Sequence, residues 1–293
     1  MSTSRAAQDE QRRRNLARKR QAEVRRRVGD QLAEEGILDA AIEQYERATE
    51  LDGRNVDARV ALADAYFAAE MPAKAYRAYR KALKAQPQHA DCHFALGEFF
   101  LSIGRIRAAQ KAMSKAVASA PDRAYYVYRL GEVHRLLGEP EEVERLFQRA
   151  VKLAEDDPFY HYKLGELRFR GGRLDEATAC YEAACRYAPA DDFYHIRLAV
   201  AYHRQEEHEK ALAMFQRAIR IEPRNPAYRF LLADQLSEMG YEEPAQEQYR
   251  RAGRLDHYDL DYIRRVRSRF GADLRGEDAP DDDARLGPRN GVR

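Results

Sequence analysis

From residue 22 to residue 259 the chain repeats itself every 34 residues, seven times over, without an insertion. The pattern is clearest in residues 158–191. There Leu164 and Gly165 stand side by side, Gly172 marks a turn, Ala177, Tyr181 and Ala184 form a second apolar stripe, and Pro189 is a stop. One period earlier the same types recur as Leu130, Gly131, Gly138, Val143, Phe147 and Ala150, and a further period back as Leu96, Gly97, Gly104, Ala109, Met113, Ala116 and Pro121. A fixed period of this length is the signature of stacked helix hairpins, in which each hairpin buries its apolar side against the next copy. The sequence therefore predicts an all-α chain built as one elongated array, with no separate globular cores.

The remaining copies keep the register. They read Leu62, Ala63, Ala75, Tyr79, Ala82 and Pro87 in the second; Leu198, Ala199, Ala211, Phe215, Ala218 and Pro223 in the sixth; and Leu232, Ala233, Gly240, Ala245, Tyr249 and Ala252 in the seventh. The first is looser, with Val28, Gly29, Gly36, Ala41, Tyr45 and Ala48. These residues and spacings resemble the tetratricopeptide repeat over about four-fifths of the chain. The resemblance implies an α-solenoid, a right-handed superhelix of antiparallel helix pairs, with units at 22–55, 56–89, 90–123, 124–157, 158–191, 192–225 and 226–259. One departure is systematic: where the family often has Trp at the fourth place, this chain has Arg25, Arg59, His93, Val127, His161, His195 and Arg229. The prediction there is looser packing at one corner, with the fold intact.

Within each unit the first helix should end near the glycine place and the second near the proline. Pro72 and Pro140 stand at second-helix starts, where a missing N–H costs nothing. Gly104, Gly138, Gly171, Gly172 and Gly240 suit a helix end that turns through positive φ. Glu70 and Glu206 stand at that place in the second and sixth units, so those turns should be strained or differently shaped.

Residues 1–21 precede the repeats and carry Arg12, Arg13, Arg14, Arg18, Lys19 and Arg20. No Pro or Gly interrupts residues 4–28, and Glu10 with Arg14 and Glu23 with Arg27 have helix-supporting spacing. This basic extension reads as a helix that can fray in solution. It is either a solvated arm or a contact for nucleic acid or an acidic protein, and it lacks the apolar face that a membrane-lying helix needs. Residues 260–270 read as a capping helix over the last repeat, with Leu260, Ile263, Val266 and Phe270 on one face. Residues 271–293, with Asp281, Asp282 and Asp283, show no apolar period and read as a disordered tail.

At about 100° per residue, places 4, 7, 8 and 11 of each first helix fall on one side and places 2, 5, 6, 9, 12 and 13 on the other. The first set is expected to pack and the second to be free. The resemblance implies that the free face lines a concave groove where partners bind. In repeats four to six it carries the aromatics Tyr125, Tyr128, Phe159, Tyr162 and Phe193 and the cations Arg129, Lys163, Arg170, Arg197 and Arg204. Flat rings edged by fixed positive charge suit an extended peptide or helix bearing apolar anchors and carboxylates. Place nine is acidic in six of the seven copies: Asp30, Asp64, Glu98, Glu132, Glu166 and Asp234, with Val200 as the exception. A competing reading is that these rings pack against the next repeat while the acidic and basic columns pair to hold the array.

Place nine is never Asn, so the carboxylate clamp that one branch of the family uses on chaperone tails is not matched. Nothing in the sequence resembles a catalytic motif or a phosphate-cradling loop. His161 and His195 fall on adjacent first helices, one helix diameter or roughly 10 Å apart, too far to share a zinc ion without strong side-chain convergence, and His93 stands two repeats before His161. Neither a cofactor nor a metal is expected. Three cysteines, Cys92, Cys180 and Cys185, sit within helices at no ligand-like spacing. Lys plus Arg, at 51, nearly balances Asp plus Glu, at 49, so any affinity for polyanions must be local. With no run of about 18 apolar residues, the chain is expected in the cytoplasm. The resemblance implies a non-enzymatic adaptor for another protein. The alternative is a nucleic-acid-associated protein that docks through its basic arm and recruits a partner with its repeats. A first check addresses the repeat skeleton itself: Leu164→Ala should cost roughly 2–5 kcal/mol, read as a lowered urea midpoint.

Overall fold

A computed structural model describes residues 2–254. The expected capping helix at 260–270 and the tail at 271–293 lie outside the described residues. Among the described residues there are fourteen helices and no strand. They are α1 (Ser2–Glu34), α2 (Leu38–Leu51), α3 (Val56–Ala68), α4 (Pro72–Ala85), α5 (Ala90–Ser102), α6 (Ile106–Ser119) and α7 (Ala124–Leu136). Then come α8 (Pro140–Leu153), α9 (Pro158–Arg170), α10 (Leu174–Tyr187), α11 (Asp192–Arg204), α12 (His208–Ile221), α13 (Pro226–Glu238) and α14 (Glu242–Gly253). From α3 onward every first helix starts 34 residues after the previous one, and from α2 onward so does every second helix. The chain gathers into two compact units, Met1–Leu146 and Phe147–Arg293, with the division inside α8.

The two helices of a hairpin come close because their facing residues are small. Ala41, Ala75, Ala109, Ala177, Ala211 and Ala245, in six of the seven second helices, are 0% exposed, Val143 takes the place in α8 at 1%, and Ala48, Ala82, Ala116, Ala150, Ala184 and Ala218, two turns further on, are also 0% exposed. Between these two places each second helix carries one large side chain; Tyr45, Tyr79, Met113, Phe147, Tyr181 and Phe215 are buried, and Tyr249 is half-buried. The fit leaves no slack. A Cβ added at Gly165 would lie 2.8 Å from the Tyr181 ring, and one at Gly97 would lie 2.5 Å from Met113 Cγ. Successive hairpins then share apolar cores, from Val56 to Ala112 in the first unit and from Tyr162 to Leu232 in the second.

Helix starts are capped in a periodic way. Asn55, Asp157, Asp191 and Asn225 accept a backbone N–H of the first turn of α3, α9, α11 and α13, and His89 Nδ1 does the same for α5. Pro72 opens α4 and Pro140 opens α8, as their positions predict.

Every hairpin turn passes through positive φ at the same place: Gly36, Gly104, Gly138, Gly172 and Gly240 lie between +70° and +79°. In the fifth repeat Gly172 fills this role, while the preceding Gly171 has a φ of −80°. Glu70 and Glu206 are held at +58° and +63°. Their turns are strained but not differently shaped. The N–H groups of Glu70 and Met71 donate to the carbonyls of Phe67 and Tyr66 at 3.0 and 2.8 Å, in the same two-bond closure that the glycine turns make. Replacing Glu70 or Glu206 with Gly should therefore raise stability by about 0.5–1 kcal/mol each, the left-handed penalty less the entropy of a new glycine. Urea denaturation of the two single variants measures this.

Candidate functional site

The acidic column at place nine has a partner that its own spacing conceals. Fifteen residues further on, Tyr45 donates its O–H to Asp30 at 2.9 Å, Tyr79 donates to Asp64, Tyr181 to Glu166 at 2.5 Å, and Tyr249 to Asp234 at 2.6 Å. Burial, with the adjoining carboxylate, pushes the phenols of Tyr45, Tyr79 and Tyr181 above the ordinary tyrosine range, so each stays a protonated donor. Where the second helix has no hydroxyl, the column changes. Opposite Met113 stands Glu98, which takes Arg129 from the next repeat, and opposite Phe215 the acid becomes Val200. The signal was present in the sequence as Tyr and Asp or Glu at a separation of 15, but it shows only when the two helices of a hairpin are compared together.

The basic column at place six is bound to the same carboxylates. In the first unit Arg129 grips Glu98 with two parallel bonds of 3.0 and 2.5 Å. Desolvation nonetheless leaves the Glu98 carboxyl above its usual range, outweighing Arg129. In the second unit Arg197 lies 2.5 Å from Glu166, with the two side chains 2% and 8% exposed. The guanidinium of Arg197 also covers the rings of Phe169 and Tyr181 at 5.4 and 5.8 Å.

The expectation of a free face at places five and six therefore needs correction. Tyr128, Tyr162, Lys163, Ile196 and Arg197 are buried, and within the second unit the neighbouring first helices α9 and α11 lie side by side and enclose Tyr162 between them. Tyr162 touches the rings of Phe193 at 5.1 Å and Tyr194 at 5.8 Å, while Lys163 Nζ lies over Phe159 at 5.5 Å and Tyr162 at 5.3 Å. The outer rim of the set remains accessible. Phe159, Phe193 and Arg204 are half-buried, Arg170 is exposed, and Arg204 lies over the Phe169 ring at 5.6 Å. In the first unit Tyr125 is 40% exposed and leans on Phe94 at 5.5 Å, while Phe94 stacks on Tyr126 at 4.5 Å. The basic residues Arg12, Arg13, Arg14, Arg18, Lys19 and Arg20 all lie exposed along α1.

The corner without Trp is closed by a different donor. His93, His161 and His195 each offer Nε2–H to the carbonyl six residues earlier, those of Pro87, Glu155 and Pro189, at 2.8–3.1 Å. Burial holds His93 below the usual histidine range, which keeps its ring neutral with the proton on Nε2. These histidines therefore serve packing, and among the described residues no group of three His, Cys, Asp or Glu could hold a metal ion. No helix among them is long and apolar enough to cross a membrane.

Residues 55–264 match the family described as the cilia and flagella-associated protein 70 C-terminal domain, and residues 29–69 match the TPR repeat. The chain belongs to the tetratricopeptide-repeat family. Proteins of this fold mediate protein–protein interactions and complex assembly. No curated protein matches the sequence. Among solved structures it is similar to pilF of Pseudomonas aeruginosa, at 20% identity and a TM-score of 0.59, over 71% of this chain and 94% of that one. It is also similar to a tetratricopeptide repeat protein of Parabacteroides merdae, at 15% identity and a TM-score of 0.54, over 84% and 97%. YrrB, described as a TPR protein with an unusual peptide-binding site, is 26% identical with a TM-score of 0.50, over 61% of this chain and 92% of its own.

The buried pair in the second unit can be tested directly. Arg197→Ala should cost about 3–5 kcal/mol, because Glu166 stays buried without its cation, whereas Glu166→Gln combined with Arg197→Met should recover much of that loss. Chemical denaturation of the two variants and the parent gives both values.

Proposed function

We propose that this chain is a non-enzymatic adaptor that holds a segment of another protein against its first helices, with the principal contact in repeats five and six. The observation that carries this reading is the pair of half-buried rings Phe159 and Phe193 on neighbouring helices α9 and α11. They are backed by buried Tyr162 and Lys163 and edged by Arg170 and Arg204. A rigid aromatic floor with cations at its rim takes an apolar anchor and, beside it, a carboxylate. Extended peptides and helices with acidic flanks have that chemistry. Similarity to YrrB, a structure described by its peptide-binding site, supports a peptide as the occupant. Phe94 and Tyr125 in the first unit offer an edge of the same kind.

Burial redistributes the roles within the proposed set. Arg129 and Arg197 hold neighbouring helices in place, and Tyr128 and Tyr162 fill space behind the surface, so their truncation would act through folding. The accessible Phe159, Phe193, Arg170 and Arg204 are the residues that meet the partner. A displayed library of extended peptides tests this on the full chain: wild-type protein should enrich sequences with an aromatic or aliphatic anchor next to Asp or Glu. Phe159→Ala with Phe193→Ala should weaken the selected peptides by about 2 kcal/mol or more, while the protein stays folded at the binding temperature with unchanged helical circular dichroism and a lowered denaturation midpoint from the lost half-buried rings. Equal binding by the double variant would place the site elsewhere.

A further inference from the structure

Helix α1 is 33 residues long, and only its last third belongs to the first hairpin. From Ala22 onward it packs; Ala22 and Gly29 are buried, and the Gly29 backbone lies against the Tyr45 ring. Ahead of Ala22, every residue from Glu10 to Gln21 is exposed. The 20 residues from Ser2 to Gln21 span about 30 Å as a helix.

The charge on this helix is concentrated and one-signed. Residues 11–27 contain nine Arg or Lys against the single Glu23, a net +8, where the whole chain is +2. Everything outside the segment is therefore net acidic, at −6, and repels a polyanion that the segment attracts. Arg12, Arg13, Arg18, Lys19 and Arg20 make no ion pair among the described residues. The Arg14–Glu10 pair, at 2.6 Å, is 70% and 64% exposed and gives way readily. Arg26 and Arg27 are tied to Glu23, and Arg26 also to Asp30.

The arrangement around the axis narrows the occupant. At about 100° per residue, Arg14, Arg18 and Arg25 share one flank, while Arg12, Arg13, Lys19 and Arg20 spread over the opposite side. The first flank turns toward α2 at its lower end, where Arg18, Gln21 and Arg25 line a shallow cleft with Arg47, Glu50 and Leu51; there Arg25 donates to Gln44 and Arg47 is paired with Glu43, which leaves Arg14 and Arg18 as the cations this flank offers. A protein partner would need apolar anchors, and the segment offers only Leu16 and Val24, on a helix without an apolar stripe. A membrane surface needs such a stripe as well. Cations on two opposite flanks instead match the two phosphate walls of a DNA major groove. That groove is about 12 Å wide and admits one helix of about 10–12 Å diameter.

We propose that residues 12–20 of α1 bind duplex DNA through its phosphate backbone, independently of base sequence, while the repeats stay outside the contact. The test is fluorescence anisotropy of a labelled mixed-sequence 20-base-pair duplex against the full chain over a salt series. It is run for the parent and for a variant with Arg12, Arg13, Arg18, Lys19 and Arg20 all changed to Ala, a residue that preserves helix. The parent should bind in the micromolar range near physiological salt, with log K falling linearly with log salt. The variant should lose at least about tenfold in affinity at that salt and about four units of slope. Circular dichroism and the denaturation midpoint should match between the two. Absence of binding by the parent at about 150 mM salt, an unchanged slope in the variant, or equal competition by polyglutamate at matched charge would overturn the proposal, the last by assigning the arm to an acidic protein.

Discussion

The whole structure depends on how closely two helices can approach within one hairpin. In six of the seven hairpins the second helix lays a large side chain between two buried alanines and against a first-helix residue that is Gly or Ala. Packing at this density turns each hairpin into a nearly rigid block with one shape. A rigid block repeated at a constant 34 residues has only one way to meet its neighbour, and helix starts at 56, 90, 124, 158, 192 and 226 follow from that. The strain accepted at Glu70 and Glu206 shows how strongly the block imposes itself. Both residues are bent to the glycine geometry because the packing on either side of the turn outweighs a left-handed penalty of about 1–2 kcal/mol.

Polar groups inside such a block must be satisfied within it, and at place nine the chain does so mainly with two devices. Where the second helix supplies a tyrosine, its hydroxyl takes the acid across the hairpin, as in Tyr79 and Asp64. Where it supplies Met113, an arginine from the next repeat reaches back to Glu98 instead. In the fifth repeat both meet, since Glu166 receives Tyr181 and Arg197 together. The histidines at the fourth place follow the same economy, each turning one ring N–H onto a carbonyl of the preceding loop. Columns of charge and aromaticity in a repeat protein are thus partly the internal wiring of the stack, and the accessible remainder is what can serve a partner. Here that remainder is the edge formed by Phe159, Phe193, Arg170 and Arg204 in one unit and by Phe94 and Tyr125 in the other.

The two proposed contacts differ in physical kind, which lets one chain use both. The aromatic edge works through shape and burial of an anchor, at short range and with little dependence on salt. The basic stretch of α1 works through counterion release, at longer range and with strong dependence on salt. One sits on packed helices and the other on a helix that has left the packing.

Much of this was legible in the residues alone. The period of 34, the turn at Gly172 and its equivalents, the prolines opening α4 and α8, and the anomaly at Glu70 and Glu206 follow from local chemistry, which any one repeat carries complete. The helical character of residues 2–21 was likewise readable from their spacing of charges. What the sequence could not decide was which side chains at places five, six and nine face outward, because that depends on the distance between first helices of successive repeats. Tyr162 and Phe193 are both aromatic residues on neighbouring first helices, yet one is 3% exposed and the other only half-buried. Arg197 and Arg170 are both arginines on that face, yet one is enclosed with Glu166 and the other is exposed. Residue type and period determined the block, and the approach of one block to the next decided which charges and rings were left for a partner.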